Sequence, residues 1–141
     1  MTLIPDHRKL LFLLILTSLV CGCSVSTSDA YINNARLYMD LTGNQQTTTY
    51  DWLDVFYCVV HISDSTPETI IKASWIAVDT DRAEPNLVIK IEEKSASNSP
   101  VIFHLKNEGN FWPLGSYKLF LYLDGKLDQT IDFNVEAGEL P

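Results

Sequence analysis

Apolar residues recur at every second position through most of this chain, and that alternation constrains its fold more than any other feature. A pleated strand sends successive side chains to opposite faces, so a period of two builds one apolar face and one solvated face. Within residues 55–62, Phe56, Cys58, Val60 and Ile62 point one way, with Tyr57, Val59 and His61 between them. Within 70–78, Ile71, Ala73, Trp75 and Ala77 alternate with Ile70, Lys72, Ser74, Ile76 and Val78. Tyr117, Leu119, Leu121 and Leu123 alternate with Lys118, Phe120 and Tyr122. Shorter runs carry Ala35, Leu37 and Met39 within 31–40, then Leu87, Ile89 and Ile91 against Val88, Lys90 and Glu92. Val101, Phe103 and Leu105, and finally Ile131, Phe133 and Val135, complete the series. No window beyond the first 22 residues sustains a 3.6-residue apolar period. Seven strands in one all-β layer pair are the expectation.

The breakers agree with the strands. Residues 64–67, 79–85 and 95–100 are loops by their Asp, Ser, Asn and Pro content. Asp124-Gly125 stands between two apolar runs and signals a two-residue hairpin turn, whose central residues both need positive φ. At 141 residues there is room for one domain, and 46% apolar residues against 20% charged excludes a disordered chain. A net charge of −8 excludes a basic face for nucleic acid.

The N-terminus has a different pattern. His7, Arg8 and Lys9 precede an apolar core over residues 10–20, the layout of a secretory signal and too short for a membrane span of roughly 20 residues. Val20-Cys21-Gly22-Cys23 follows and resembles the lipobox of bacterial lipoproteins, with Val20 at the aliphatic position and Gly22 before the cut. The resemblance implies that Cys23 carries the lipid and that residues 1–22 are removed. Ser24–Ala30 is a small, polar stretch and reads as a tether, making residues 23–30 a lipidated linker and 31–141 the domain. The membrane is then a partner through acyl chains alone, because the trimmed chain has 8 Lys+Arg against 17 Asp+Glu. Cys58 would be its only free thiol, leaving no internal disulfide. The implied location is the cell membrane or outer membrane on the exported face. Ser24 in place of an Asp after the anchor favours the outer membrane where the cell has one.

Phe111-Trp-Pro-Leu-Gly-Ser-Tyr117, leading into 118–125, resembles the end of an immunoglobulin-like or fibronectin-III-like sandwich. In that family a Gly-x-Tyr step enters the penultimate strand and the Tyr hydroxyl bonds back across the corner. Gly115 and Tyr117 match those positions. Trp75 falls where such domains bury an indole, and Cys58 where an immunoglobulin has its first bridging cysteine. Leu119 occupies the place of the second, so the resemblance implies a sandwich that stands without a disulfide. These four residues are expected to be structural.

Chemistry has few footholds. His61 and His104 both take outward positions, and no HxH, HExxH or CxxC spacing accompanies them. Ser116 lacks the second Gly of a GxSxG elbow. Asp79, Asp81 and Glu84 share a loop with Arg82 and no Gly, which reads as a solvated acidic loop rather than a calcium site. Glu92 and Glu93 are adjacent on a strand and point to opposite faces. No cofactor, metal or catalytic group is implied, and the expectation is a protein that is not an enzyme. The remaining signal is aromatic and apolar. Ile76 and Val78 should neighbour Phe120 and Tyr122 on the outer face of one sheet, an exposed patch suited to an envelope protein partner. The same pattern is open to coverage by loops or the N-terminal segment. Trp52 and Trp112, with Tyr122, are the alternative: flat rings for a glycan or small ligand.

Overall fold

The computed structural model describes residues 29–140; the signal segment, Cys23 and most of the tether lie outside the described residues. Eight strands follow in chain order: β1 (Tyr31–Tyr38), β2 (Thr49–Asp51), β3 (Phe56–Ser63), β4 (Ile70–Thr80), β5 (Leu87–Ser95), β6 (Val101–Leu105), β7 (Gly115–Leu123) and β8 (Lys126–Glu136). They form a three-stranded sheet ordered β1-β3-β6 and a five-stranded sheet ordered β2-β8-β7-β4-β5. Every pairing is antiparallel except β2 with β8, which run parallel.

The inward sets of β3, β4, β6 and β7 are those the alternation defines, and they meet between the sheets. Phe56 is fully buried at the centre. Its ring lies 4.6 Å from Tyr50 and from Trp112, 5.1 Å from Phe133, 6.0 Å from Tyr117 and 6.2 Å from Trp75. Tilted, stacked and edge-on pairs of this kind add roughly 0.5–1.5 kcal/mol each beyond their buried area.

Four details depart from the sequence pattern. β2 is an eighth strand, too short at three residues to show a period, yet it delivers Tyr50 to the core. In β1 the register shifts between Ile32 and Asn34, so Ile32 and Leu37 both bury while Met39 lies beyond the strand and is exposed. Val59 has outward parity but is 9% exposed, flanked across the ladder by Arg36 and Ile102. β5 is an edge strand, and a register shift opposite Trp75/Ile76 leaves Leu87, Val88 and Ile91 exposed.

The corner before β7 is held by two groups. Gly115 has φ 142°, and a Cβ there would run into the Asp79 carbonyl oxygen and the Thr80 backbone. The Tyr117 hydroxyl donates to the carbonyl of Pro113. At the opposite end, Asp124 and Gly125 both take positive φ, closing the β7–β8 hairpin. The Asp124 carboxylate also accepts the Ile70 N–H at 2.9 Å. Replacing Gly115→Ala is therefore expected to destabilise the domain by at least about 2 kcal/mol, because backbone must move. Tyr117→Phe should cost about 1–2 kcal/mol by orphaning a carbonyl. Urea unfolding midpoints check both; an unchanged midpoint for Gly115→Ala contradicts the corner geometry.

Candidate functional site

The five-stranded sheet buries one face and presents the other, and the pairing registers fix what that outer face displays. Three cross-strand rows run from β5 through β4 and β7 to β8. The first contains Glu93, Lys72, Tyr122 and Leu127; the second Ile91, Ser74, Phe120 and Thr130; the third Val88, Ile76, Lys118 and Asp132. Val78 follows Ile76 on the same strand, at the register shift between Ala77 and Asp79.

Ile76 and Val78 thus share a face with Phe120 and Tyr122 but do not stand opposite them. Ile76 faces Lys118, Phe120 faces Ser74, and Tyr122 faces Lys72. All four are half-buried by their own neighbours, while Ile91 is 58% exposed and Val88 and Leu127 are each 48% exposed. Sequence reasoning missed these three. The alternation grouped Ile91 with Leu87 and Ile89, whereas the register shift in β5 puts Ile91 on the outer face with Val88, and Leu127 stands next to a hairpin and a register shift. Together the apolar residues form a diagonal band, from Val88 and Ile76 past Phe120 to Tyr122 and Leu127. Ser74 is buried beneath it at 6% exposure.

Charges flank the band at two opposite corners. Lys72 places its ammonium 4.3 Å from the Tyr122 ring centroid, a cation–π contact that also lays its alkyl stem along the sheet. Lys118 pairs with Asp132 at 3.7 Å. The inner side of β5 is defended differently. Lys90, Glu92 and Lys94 alternate there, with Glu92 3.3 Å from Lys90 and 3.5 Å from Lys94. Lys94 also donates to the Ile102 carbonyl at 2.7 Å, lacing β5 to β6 across the sheets. Inward charge on an edge strand discourages extension of the sheet by another chain. The large exposed apolar residues of this sheet therefore lie on its face, while charge guards the inner side of its β5 edge.

The other sequence candidates are dispersed. Trp112 is only 5% exposed; its indole N–H donates to the Asp54 carbonyl at 2.8 Å and its ring stacks on Phe56. It has no free face for a sugar ring, which corrects the reading of Trp112 as a ligand platform. Trp52 packs 4.7 Å from Phe111 at the end of the sandwich near Gly115, whereas Tyr122 lies under Lys72 towards the other end. The three rings do not form one platform. Trp75 is fully buried in the core. His61 and His104 are exposed, and His104 stands opposite Tyr57, four residues along β3 from His61. Asp81 is not merely solvated: its carboxylate accepts the Leu114 N–H at 2.9 Å and lashes the β4–β5 loop to the segment before β7. A half-open cleft of about 1080 Å³ lies near the start of β1, lined by Asp29, Asp64, Glu68, Asp124, Lys126 and Asp128 among others. Among the described residues no group of three His, Cys, Asp or Glu side chains is placed to hold a metal ion. No described helix is long and apolar enough to cross a membrane.

No family model matches the chain, and no curated protein matches it either. Among solved structures it is similar to an immunoglobulin-like protein from Pseudomonas aeruginosa, with a TM-score of 0.53 and 12% identity over 79% of this chain and 99% of that one. At that identity the likeness concerns the fold alone, and with the two-sheet topology it defines an immunoglobulin-like β-sandwich.

Burial pushes the Cys58 thiol from its ordinary 9.0 up to about 12, and burial likewise pushes the Tyr117 hydroxyl up to about 12. The folded state thus favours the neutral form of both groups. Their contribution to stability is complete at neutral pH and is lost as pH climbs through roughly 9 to 12. Unfolding free energy should stay level to about pH 9 and fall above it, and Cys58 should resist thiol reagents at neutral pH until the domain is unfolded. Rapid labelling of the native protein would contradict this placement.

Proposed function

We propose that this chain is a lipid-anchored protein of the cell envelope whose sandwich is a non-enzymatic docking module for an envelope protein partner. The observation that carries the reading is the outer face of the five-stranded sheet. Seven large apolar or aromatic side chains converge there, where soluble monomers normally keep such patches small. Residues that might instead support chemistry have other roles: Cys58 is core, Asp81 ties a loop, and the two histidines stand apart.

The anchor adds an orientation. Tyr31 begins β1 beside Ser63, at the end of the sandwich that also carries the Asp124-Gly125 turn. The seven residues from Ser24 to Ala30 reach at most about 24 Å when extended, so that end stays near the membrane. The strands then rise from the surface and the outer face looks sideways, towards neighbours in the same envelope.

Two variants test the two halves of the reading. Cys23→Ala should abolish incorporation of labelled palmitate, and continued labelling would contradict the anchor. Phe120→Ser with Tyr122→Ser should leave the fold intact, since both lie outside the core, but should abolish chemical crosslinks to neighbours in isolated envelopes. Unchanged crosslinks would contradict the docking face.

A further inference from the structure

We infer that the seam between β1 and β8 binds a sugar unit carrying one carboxylate, with Arg36 holding the acid. The site lies on the opposite side of the sandwich from β5 and does not depend on the docking face. Its basis is an arginine held in place by neutral groups. The strand period of two puts Asn34 and Arg36 on the same outward face of β1, opposite His61 and Val59 of β3. The chain then turns back so that Gln46 bridges Tyr38 across the other edge of β1. The Met39 N–H donates to the Gln45 carbonyl at 2.8 Å and the Thr47 N–H to the Leu37 carbonyl at 3.0 Å, which pins this return. Gln46 thereby becomes a diagonal neighbour of Arg36, within reach of a long side chain. Arg36 Nε donates to Asn34 Oδ1 at 2.9 Å, and Nη1 donates to Gln46 Oε1 at 3.0 Å. Both acceptors are uncharged. Arg82, Lys90, Lys94 and Lys118 each pair with a carboxylate, whereas Arg36 takes part in no ion pair among the described residues. In a chain of net charge −8, moreover, β1, β3 and β6 contain no Asp or Glu. The guanidinium is oriented but not neutralised.

Arg36 borders a groove of about 270 Å³ between β1 and β8. Ala35, Leu37 and Ile131 give the groove an apolar lining, Asn34, Gln46 and Gln129 bring amides, and no carboxylate lines it. The amide oxygens of Asn34 and Gln46 face Arg36, so their N–H groups are left to donate to a ligand. β1 pairs with no strand on this side, and β8 joins β2 only from Asn134 onward, so strand edges flank the groove without covering it. A sugar ring matches this lining. Its C–H faces suit the apolar wall, and its hydroxyls both donate and accept, as amides do. The volume falls just below the roughly 300–1,000 Å³ of pockets for drug-sized ligands, which suits a single ring. Nη2 of Arg36 has no acceptor among the described residues, and a planar guanidinium matches a carboxylate in shape and charge. A phosphate monoester carries nearly two charges at neutral pH, and no second cation lines the groove to balance them.

Titration of the purified full chain in detergent with glucuronate, followed through the side-chain amide NMR signals of Asn34, Gln46 and Gln129, tests the site. Saturable shifts are expected. Glucose, which lacks the acid, should bind at least about tenfold more weakly, and glucose 6-phosphate more weakly than glucuronate. Arg36→Ala and Arg36→Lys should each weaken glucuronate binding at least about tenfold, the second because an ammonium keeps the charge without the planar fork. Lys126→Ala, which removes a positive charge elsewhere, should leave binding unchanged. Circular dichroism and melting verify that each variant folds, and Arg36→Lys alone decides the matter if Arg36→Ala does not. Absence of saturable shifts, or unchanged affinity in the Arg36 variants, overturns the site. Glucose binding as tightly as glucuronate overturns the acid as its determinant. Tighter binding of glucose 6-phosphate overturns the carboxylate in favour of a phosphate.

Discussion

The two sheets are joined by rings. Phe56 on β3 touches aromatic residues from β2, β4, β7, β8 and the loop before β7, so one side chain ties the small sheet to four strands of the large one. A disulfide would normally cross an immunoglobulin sandwich at this level. Here Cys58 stands two residues from Phe56 as a buried free thiol, and dispersion and edge-to-face contacts provide the cross-tie. Removing the Phe56 ring would be expected to cost about 3–5 kcal/mol, a large share of a small domain's stability.

Committing the aromatic set to the interior determines what remains outside. Because the period of a strand is two, placing Trp75 and Tyr117 inward forces Ile76 and Phe120 outward. The outward residues of a solvated sheet are usually polar, yet on β4, β5, β7 and β8 many are large and apolar. Lys72 and Lys118 relieve this only in part, one over Tyr122 and the other paired with Asp132. The inward charges of β5 show a different treatment of the sheet's edge. Lys90, Glu92 and Lys94 guard it, while the adjoining face is left apolar.

Much of this was legible in the sequence. The inward residues of β3, β4, β6 and β7 follow from alternation alone, and Gly115 with Tyr117 announces the corner. The losses have local causes. β2 is too short to show a period. The irregularity between Ile32 and Asn34 changes the parity of β1 so that Ile32 buries with Leu37, and the strand ends at Tyr38, so alternation counted from Leu37 runs past it to Met39, which is exposed. Trp112 looked available because it sits in a loop, but its N–H found Asp54 and its ring found Phe56, contacts between segments far apart in sequence. The outer face was legible as a set of residues but not as a pattern. Its diagonal band depends on register, which irregularities in β4, β5 and β8 adjust by single residues.

A docking face is covered where the protein works, and a merely solvated one is not. Ile91 is the most exposed of its apolar residues at 58%, and His61 on the other sheet is also exposed. Labelling Ile91→Cys and His61→Cys with a hydrophilic maleimide, in isolated envelopes and in the purified, diluted chain, compares the two surfaces directly. The docking account predicts that Ile91→Cys is protected in envelopes and becomes reactive on dilution, while His61→Cys reacts equally in both. Equal reactivity of Ile91→Cys in both settings would contradict it.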